Sequence, residues 1–186
     1  MALTISSMLP LGTELPKFSL PNTVDGSEFS TNSLKKMPTL IMFICNHCPY
    51  VKSVINRIVE DVIVLKDKGV GVAAIMSNDV NDPKYGAEDS FDNMKLFSDV
   101  NNFVFPYIYD KTQIVGRNYN AVCTPDFFGF NNKDELQYRG RLEESKMEII
   151  PGARKELLEA MIQVSETGEG PKSQIPSIGC SIKWKE

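Results

Sequence analysis

Two cysteines separated by two residues are the part of this sequence best suited to chemistry. Cys45 and Cys48 enclose Asn46 and His47, directly after the apolar run Thr39–Ile44 and before a segment with helical periodicity. At a strand-to-helix turn, unpaired backbone N–H groups and the helix dipole favour a thiolate. We expect Cys45 to be the more exposed and more acidic nucleophile, and Cys48 to be the resolving thiol. This arrangement suits thiol–disulfide exchange.

His47 is the only histidine in the chain, and it lies between the two sulfurs. An imidazolium that faces Cys45 would stabilise its thiolate and raise the reduction potential of the pair. A Cys-x-x-Cys could also be half of a zinc site, which usually has four Cys or His ligands. Cys123 and Cys180 are too far apart in sequence to form a second such pair. We therefore favour a redox pair and expect no bound metal and no cofactor.

Cys123 and Cys180 are candidate accessory thiols. Cys123 precedes Thr124-Pro125, and either a small buried packing residue or a third redox-active thiol fits this position. Cys180 lies in a tail that contains several Gly and Pro residues, where a structural cysteine and a resolving cysteine fit equally well. The sequence leaves both alternatives open for each residue.

The elements around the Cys-x-x-Cys predict an α/β fold. Apolar residues recur at intervals of three and four over Pro49–Lys68, which indicates a helix, and Val70–Met76 indicates a second buried strand. Strand, helix and strand form a βαβ unit with parallel pairing. Further predicted elements are an N-terminal hairpin at 25–26, a helix within 88–99, a strand at 106–109, a helical segment at 112–119, a hairpin of 127–130 with 136–139, and a helix at 151–166.

Three other regions are predicted from local chemistry. The tail from Gly168 onward should be irregular. Strand alternation places Arg139 and Arg141 on one face, which we expect to be solvated. Asn78, Asp79 and Asp89 belong to a loop that could reach the cysteines, although ordinary turn and cap chemistry explains them equally well.

Composition limits the class of protein. The chain has 186 residues, which suggests one domain over 1–186, and its net charge of -4 argues against nucleic-acid binding. No apolar run is long enough to span a membrane. The segment Met1–Gly12 lacks the charge and the apolar run of a signal peptide, so we expect a cytoplasmic protein. In a reducing compartment, four cysteines are better explained by redox or metal chemistry than by a structural framework.

Several motifs together resemble one group of proteins. The chain is similar to bacterial redoxin-type thioredoxin-family proteins, which are relatives of the alkyl hydroperoxide reductase/thiol-specific antioxidant superfamily, and the resemblance covers nearly the whole chain. The motifs that carry it are Cys45-Asn46-His47-Cys48-Pro49-Tyr50-Val51, Ser77-Asn78-Asp79, Cys123-Thr124-Pro125-Asp126, Tyr138-Arg139-Gly140-Arg141 and Gly179-Cys180-Ser181-Ile182-Lys183-Trp184, with a redoxin-like opening at Gly12, Leu15-Pro16, Phe18 and Leu20.

The resemblance implies a thioredoxin-like fold, with a central mixed sheet, helices on both faces, an N-terminal extension and an insertion at about 78–104. It implies that Thr124-Pro125 is the cis-proline pair, which faces the Cys-x-x-Cys and offers a backbone edge to a substrate peptide. The expected activity is that of a thiol–disulfide oxidoreductase, with a dithiol electron donor and a disulfide substrate as partners. Thr39 stands about where thioredoxin has a buried Asp, so no proton acceptor for the resolving step is evident in the sequence.

Two other functions are compatible with the sequence. The first is a peroxiredoxin-like thiol peroxidase with Cys48 in the peroxidatic position. That chemistry needs an arginine aimed at the sulfur, and the run Val122–Pro125 has none, while Arg117 is the nearest. The second is a metal- or partner-binding module that keeps the fold without turnover.

Overall fold

The computed structural model describes residues 3–185, and within that range the chain forms ten strands and four α-helices. The strands are β1 (Leu3–Ile5), β2 (Ser19–Pro21), β3 (Glu28–Ser30), β4 (Thr39–Phe43), β5 (Gly71–Met76), β6 (Tyr107–Tyr109), β7 (Cys123–Thr124), β8 (Asp126–Phe130), β9 (Leu136–Tyr138) and β10 (Ile178–Ser181). The helices are α1 (Pro49–Asp67), α2 (Phe91–Val100), α3 (Ile114–Asn118) and α4 (Glu156–Thr167).

Five strands make the central sheet, in the order β6-β5-β4-β8-β9. The strands β4, β5 and β6 are parallel, whereas β8 is antiparallel to β4 and β9 is antiparallel to β8. The predicted α/β fold with a mixed sheet is therefore confirmed. Because β4 lies in the middle of this sheet, the residues that follow it lie between the ends of β5 and β8.

Side chains of β4 alternate between two apolar layers. Leu40 and Met42 pack with α1 and α4 on one face, and Ile41 and Phe43 pack with α3 and the N-terminal segment on the other. All of these side chains are fully buried. Each contributes roughly 1.5–3 kcal/mol through the removal of apolar surface from water, which fixes the strand that leads into the cysteines.

Helix α1 begins at a proline, which is preorganised for the first helical position because its missing N–H has no partner there anyway. The buried face consists of Val51, Val54, Ile55, Ile58, Val59, Asp61, Val62 and Leu65. Gly69 follows the helix with a φ of +77°, a conformation that favours glycine. The predicted strand, helix and strand are thus present.

The segment after the hairpin differs from the prediction. Helix α4 begins at Glu156 rather than at Pro151, because Gly152 adopts a φ of +74° that cannot continue a helix. The tail was predicted to be irregular, which is wrong for β10. This strand pairs with β1 on one side and with β7 on the other, and it makes a separate three-stranded sheet.

The predicted insertion lies between two parallel strands of the central sheet. Between β5 and β6, the chain forms a loop over 77–90 and then α2, whose Met94 is buried in the same layer as α1.

Among residues 3–185, no helix is both long enough and apolar enough to cross a bilayer.

Candidate active site

The two cysteines lie between the end of β4 and the start of α1. Helix α1 begins at Pro49, so Cys48 is its N-cap residue, and Cys45 precedes the helix by a full turn. The expectation that Cys45 is the more exposed thiol is wrong, because the exposed fraction of both residues is 0%. Burial follows from the position of the pair, which is surrounded by β4, β7, β10 and the loop over 77–90.

Thr124 contacts both sulfurs. Its Oγ1 lies 3.2 Å from Cys45 Sγ, and its carbonyl oxygen lies 3.2 Å from Cys48 Sγ and accepts a hydrogen bond from that thiol when it is protonated. The Thr124-Pro125 bond is cis, as the resemblance implied. The backbone edge of Thr124 is not free, however. It pairs with β10, where Cys180 is its register partner, so the edge predicted for a substrate peptide is occupied by the chain itself.

All four cysteines are buried. Cys180 is the register partner of Thr124, and the carbonyl oxygen of Thr124 lies 3.2 Å from Cys48 Sγ. Cys123 lies on the same short strand as Thr124, but its thiol points to the Pro125 carbonyl at 3.8 Å. Thr124 therefore brings Cys45, Cys48 and Cys180 together, which sequence spacing could not indicate.

The environment places the negative charge of the reduced pair on Cys48. Hydrogen bonds from the thiols of Cys180 and Cys45, and from the Val51 N–H, hold the pKa of Cys48 well below that of a free thiol. Burial raises the pKa of Cys45, and its hydrogen bond to Cys48 and the nearby Asp89 carboxylate raise it further. The prediction that Cys45 is the more acidic thiol is therefore wrong for the resting reduced state.

A buried hydrogen-bond network fixes the turn between the cysteines. One carboxylate oxygen of Asp89 accepts from the backbone N–H groups of Asn46 at 2.8 Å and His47 at 3.3 Å. The other lies 2.7 Å from His47 Nδ1 and accepts from Asn78 Nδ2 at 2.8 Å. Asn78 and Asp89 thus belong to the site. Both residues are far from the cysteines in sequence, so the sequence alone could not distinguish a role in the site from ordinary turn chemistry.

The His47 ring is hydrogen-bonded to Asp89 and to no sulfur among the described residues. It stacks on Tyr85, with ring centroids 4.5 Å apart, and its Nε2 is buried without a hydrogen-bond partner among the described residues. A ring nitrogen of His47 lies within 4.8 Å of Cys45 Sγ, so the predicted thiolate modulator is near that sulfur, and its effect on the reduction potential stays a prediction.

Cys45, His47 and Asp89 are also the residues that could hold a metal ion. One ligand atom from each lies within 4.8 Å of the others, and all three residues are buried. Both Asp89 oxygens already accept hydrogen bonds, so an ion would have to replace the bond to His47. The group offers three ligands, whereas structural zinc sites have four.

Arg139 was expected on a solvated face, which is wrong. Its guanidinium is fully buried, is paired with both carboxylate oxygens of Asp126, and lies 3.7 Å from the centre of the Phe128 ring. The carbonyl of Gln137 and the backbone N–H of Arg139 bind Gln174, so the segment before β10 covers this strand. Asp126 directly follows Pro125, and the ion pair therefore supports the cis-proline loop.

Pro125 borders a recess next to the start of α1. This cavity has a volume of about 270 Å³, and Tyr50, Phe127, Leu142 and Ile175 contribute apolar side chains to its wall. It lies on the side of Pro125 that faces the start of α1, and its chemistry suits an apolar side chain rather than an ion.

Known proteins with similar structures share this fold. An uncharacterized conserved protein from Geobacillus kaustophilus is 42% identical, with a TM-score of 0.92 over 100% of this chain and 97% of that one. A hypothetical protein from Sinorhizobium meliloti 1021 is 30% identical, with a TM-score of 0.89 over 98% of each chain. A secreted Mycobacterium tuberculosis disulfide oxidoreductase homologous to E. coli DsbE is 15% identical, with a TM-score of 0.59 over 79% of this chain and 95% of that one, which shows a common thioredoxin-like fold.

No curated protein matches the chain in sequence. The AhpC/TSA family profile matches residues 11–140, which include the Cys-x-x-Cys, the cis-proline pair and all five strands of the central sheet. The chain therefore belongs to the AhpC/TSA family.

Proposed function

We propose that the protein is a thiol–disulfide oxidoreductase that interconverts the Cys45–Cys48 pair between dithiol and disulfide. The observation that carries the proposal is that Thr124 lies 3.2 Å from each sulfur, through its Oγ1 to Cys45 and through its carbonyl oxygen to Cys48, at the N-terminus of α1. Two cysteines that share a contact residue in a Cys-x-x-Cys turn suit reversible disulfide formation. The partners are a protein or small-molecule disulfide and a dithiol donor.

In the singly ionised pair, the one remaining proton can lie on either cysteine. When the thiolate is on Cys48, it accepts from Cys45, Cys180 and the helix N–H. When the proton moves to Cys48, its thiol donates to the Thr124 carbonyl, and the Thr124 hydroxyl can donate to the new Cys45 thiolate. Both states therefore have hydrogen-bond partners, so the nucleophile can form on Cys45 without an outside base.

The reaction then follows two balanced exchanges. The Cys45 thiolate attacks one sulfur of the partner disulfide, and the other half leaves with the electron pair as a thiolate. Cys48 attacks the Cys45 sulfur of this mixed disulfide, which releases the reduced partner and leaves a Cys45–Cys48 disulfide. A dithiol donor reverses these steps. The His47–Asp89 pair, within 4.8 Å of the Cys45 sulfur, is the candidate proton acceptor that the sequence did not reveal.

Access to the pair determines which partners fit. Neither sulfur is exposed, so the loop over 77–90, whose Tyr85 and Asp89 contact the turn between the cysteines, has to move before a partner binds. The cavity beside Pro125 could then hold an apolar residue next to the partner disulfide. Thr124 and Pro125 remain the proposed substrate-binding residues, by their side chains rather than by a free backbone edge.

Peroxide reduction is the second candidate function. It is favoured by the position of Cys48 at the N-cap and by its lowered pKa. It is disfavoured because every arginine of the chain contacts another group. The contacts are Arg57 with Glu143, Arg117 with Trp184, Arg139 with Asp126, Arg141 with Glu156 and Arg154 with Glu159. None of these guanidinium groups is available to polarise a peroxide at Cys48.

Two assays on the same variants decide between these functions. One follows reduction of insulin by dithiothreitol, and the other follows hydrogen peroxide consumption. We expect wild type to accelerate the first and Cys45→Ser to lose that acceleration, with Cys123→Ser as the baseline for removal of an equally buried thiol. Fast peroxide consumption that survives Cys45→Ser but disappears in Cys48→Ser would establish the peroxidase instead. The proposal includes a reducing compartment such as the cytoplasm, where a dithiol donor would keep the pair reduced.

A further inference from the structure

The strand β10 occupies the position beside the cis-proline where an extended partner could pair. Its register places Cys180 opposite Thr124 and Ser181 opposite Cys123, and the Ile182 N–H donates to the Val122 carbonyl at 3.0 Å. Gly179 lies so close that an added Cβ would be 2.0 Å from the Thr124 carbonyl oxygen. The chain therefore places its own cysteine where the cysteine of a bound peptide would otherwise lie.

Contacts on both sides hold this strand in place. On its outer edge, β10 pairs with β1, where Leu3 is the register partner of Cys180. Beyond the strand, the Lys183 N–H donates to Asn78 Oδ1 at 2.9 Å, and Trp184 lies under the Arg117 guanidinium at 4.5 Å. Asn78 also binds Asp89, so the tail is tied to the network around the cysteines. Cys180 is thus presented by a fixed strand and not by a loose tail.

Thr124 connects Cys180 to Cys48, because Cys180 is its register partner and its carbonyl oxygen lies 3.2 Å from Cys48 Sγ. The thiols of Cys180 and Cys45 both lower the pKa of Cys48, and all three residues are buried, with exposed fractions of 2%, 0% and 0% for Cys180, Cys45 and Cys48. Cys48 is consequently the common neighbour of two potential disulfide partners. Cys123, although buried on the adjacent strand, is turned toward the Pro125 carbonyl instead.

We propose that Cys180 is a third redox-active thiol, which moves the disulfide of the oxidised protein from Cys45–Cys48 to Cys48–Cys180. This inference rests on the function proposed above. The Cys180 thiolate attacks Cys48 Sγ, the Cys48–Cys180 bond forms, and the Cys45–Cys48 bond breaks. The electron pair of the broken bond stays on Cys45, which leaves as a thiolate and takes up the proton that Cys180 gave up. The number of disulfides does not change, so no outside oxidant is required.

The exchange would have two effects on the site. Cys45 becomes a thiol again while the protein remains oxidised, so it can attack a second disulfide. The new bond also joins the N-cap of α1 to β10 covalently, which keeps the strand over the edge of Thr124. A dithiol donor would then have to reduce a disulfide located on β10.

Peptide mapping can detect the exchange because trypsin separates the relevant cysteines. Cys45 and Cys48 share the peptide 37–52, Cys123 lies in 118–133 and Cys180 lies in 173–183. Reduced protein is oxidised in graded glutathione redox buffers, quenched with acid, alkylated with N-ethylmaleimide at low pH and digested without reductant. We expect wild type to give both an internally bridged 37–52 peptide and a 37–52 peptide linked to 173–183.

The variants assign the linked sulfurs. In Cys45→Ser, the 37–52 peptide linked to 173–183 should become the main oxidised species, and in Cys48→Ser it should disappear. The 118–133 peptide should stay alkylated throughout, which is the internal control for random pairing. The proposal is overturned if wild type gives only the internal bridge with alkylated Cys180, or if 173–183 pairs with 118–133.

The outcome is separable from that of the oxidoreductase proposal. Insulin reduction that depends on Cys45 together with no linked peptide would refute only the role of Cys180. A linked peptide in a protein that does not accelerate insulin reduction would refute the oxidoreductase and leave the exchange as an internal redox switch. If Cys45→Ser does not fold, the wild-type map alone decides, since it requires no substitution.

Discussion

Replacement of Arg139 by Met should strongly destabilise the protein at neutral pH. Arg139 and Asp126 are fully buried, and the guanidinium binds both carboxylate oxygens while it also lies on the Phe128 ring. Removal of one partner leaves an uncompensated buried charge, which typically costs 3–5 kcal/mol. Loss of the cation–π contact adds about 1 kcal/mol. Against a total stability of about 5–15 kcal/mol, this is a large fraction.

The sign of the pH dependence follows from Asp126. Burial raises the pKa of Asp126, and Arg139 opposes that rise, so the variant should raise the pKa further. A carboxyl group whose pKa is higher in the folded than in the unfolded state binds a proton on folding. The loss of folding stability caused by its ionisation is therefore smallest at low pH and grows as pH increases through the folded pKa. The stability lost in Arg139→Met should therefore be larger at pH 7.5 than at pH 5.

Urea unfolding at both pH values measures this effect. Arg154→Met is the matched control, because Arg154 makes an ion pair with Glu159 at an exposed site and its loss should change stability little. The double variant Asp126→Asn/Arg139→Met removes both charges and should recover much of the loss. Equal stability of Arg139→Met and Arg154→Met at pH 7.5, or a double variant no more stable than Arg139→Met, would refute this reasoning.

Three further substitutions test the site. Because the pKa of Cys48 is well below that of a free thiol, reduced wild type should retain the ultraviolet absorbance of one thiolate at about pH 6, and Cys48→Ser should lose it. Asp89→Asn removes a charge that raises the pKa of Cys45, so alkylation of Cys45 in the folded protein should become faster at a fixed pH. The control Glu88→Gln alters a neighbouring exposed carboxylate and should leave this rate unchanged. Gly179→Ala adds a Cβ 2.0 Å from a backbone oxygen, so the free energy of unfolding should fall by about 1–3 kcal/mol and thermal unfolding should occur at a lower temperature. An unchanged transition would contradict the tight pairing of β10.

Local patterns were sufficient to predict the framework of the site. The apolar run before Cys45 and the periodicity after Pro49 depend on neighbours in sequence, so β4 and α1 were predicted closely. Pro49 at the first helical position also makes Cys48 the N-cap. The usual order of nucleophile and resolving thiol in a Cys-x-x-Cys nevertheless favoured Cys45 as the partner of the helix N–H groups, whereas the helix start favours Cys48.

Contacts between distant segments were not predictable in the same way. The strand around Cys180 has four residues and no clear alternation, and it forms because β1 and β7 pair with it. Alternation placed Arg139 on a face of its strand but could not show that Gln174 and its neighbours cover that face. Likewise, the bond from Asp89 to His47 spans 42 positions, and sequence spacing contains no information on it.

The pairing of Leu3 with Cys180 has a consequence for the order of folding. Strands β1 and β10 come from opposite ends of the described chain, and contacts of such large sequence separation form late because closing a long loop costs entropy. The central βαβ unit can form earlier from nearby segments. During refolding, the active cysteines should therefore spend time in a folded framework without their cover. Refolding in the presence of a strong oxidant should trap wrong disulfides in that interval, whereas refolding of the reduced chain, followed by oxidation, should avoid them.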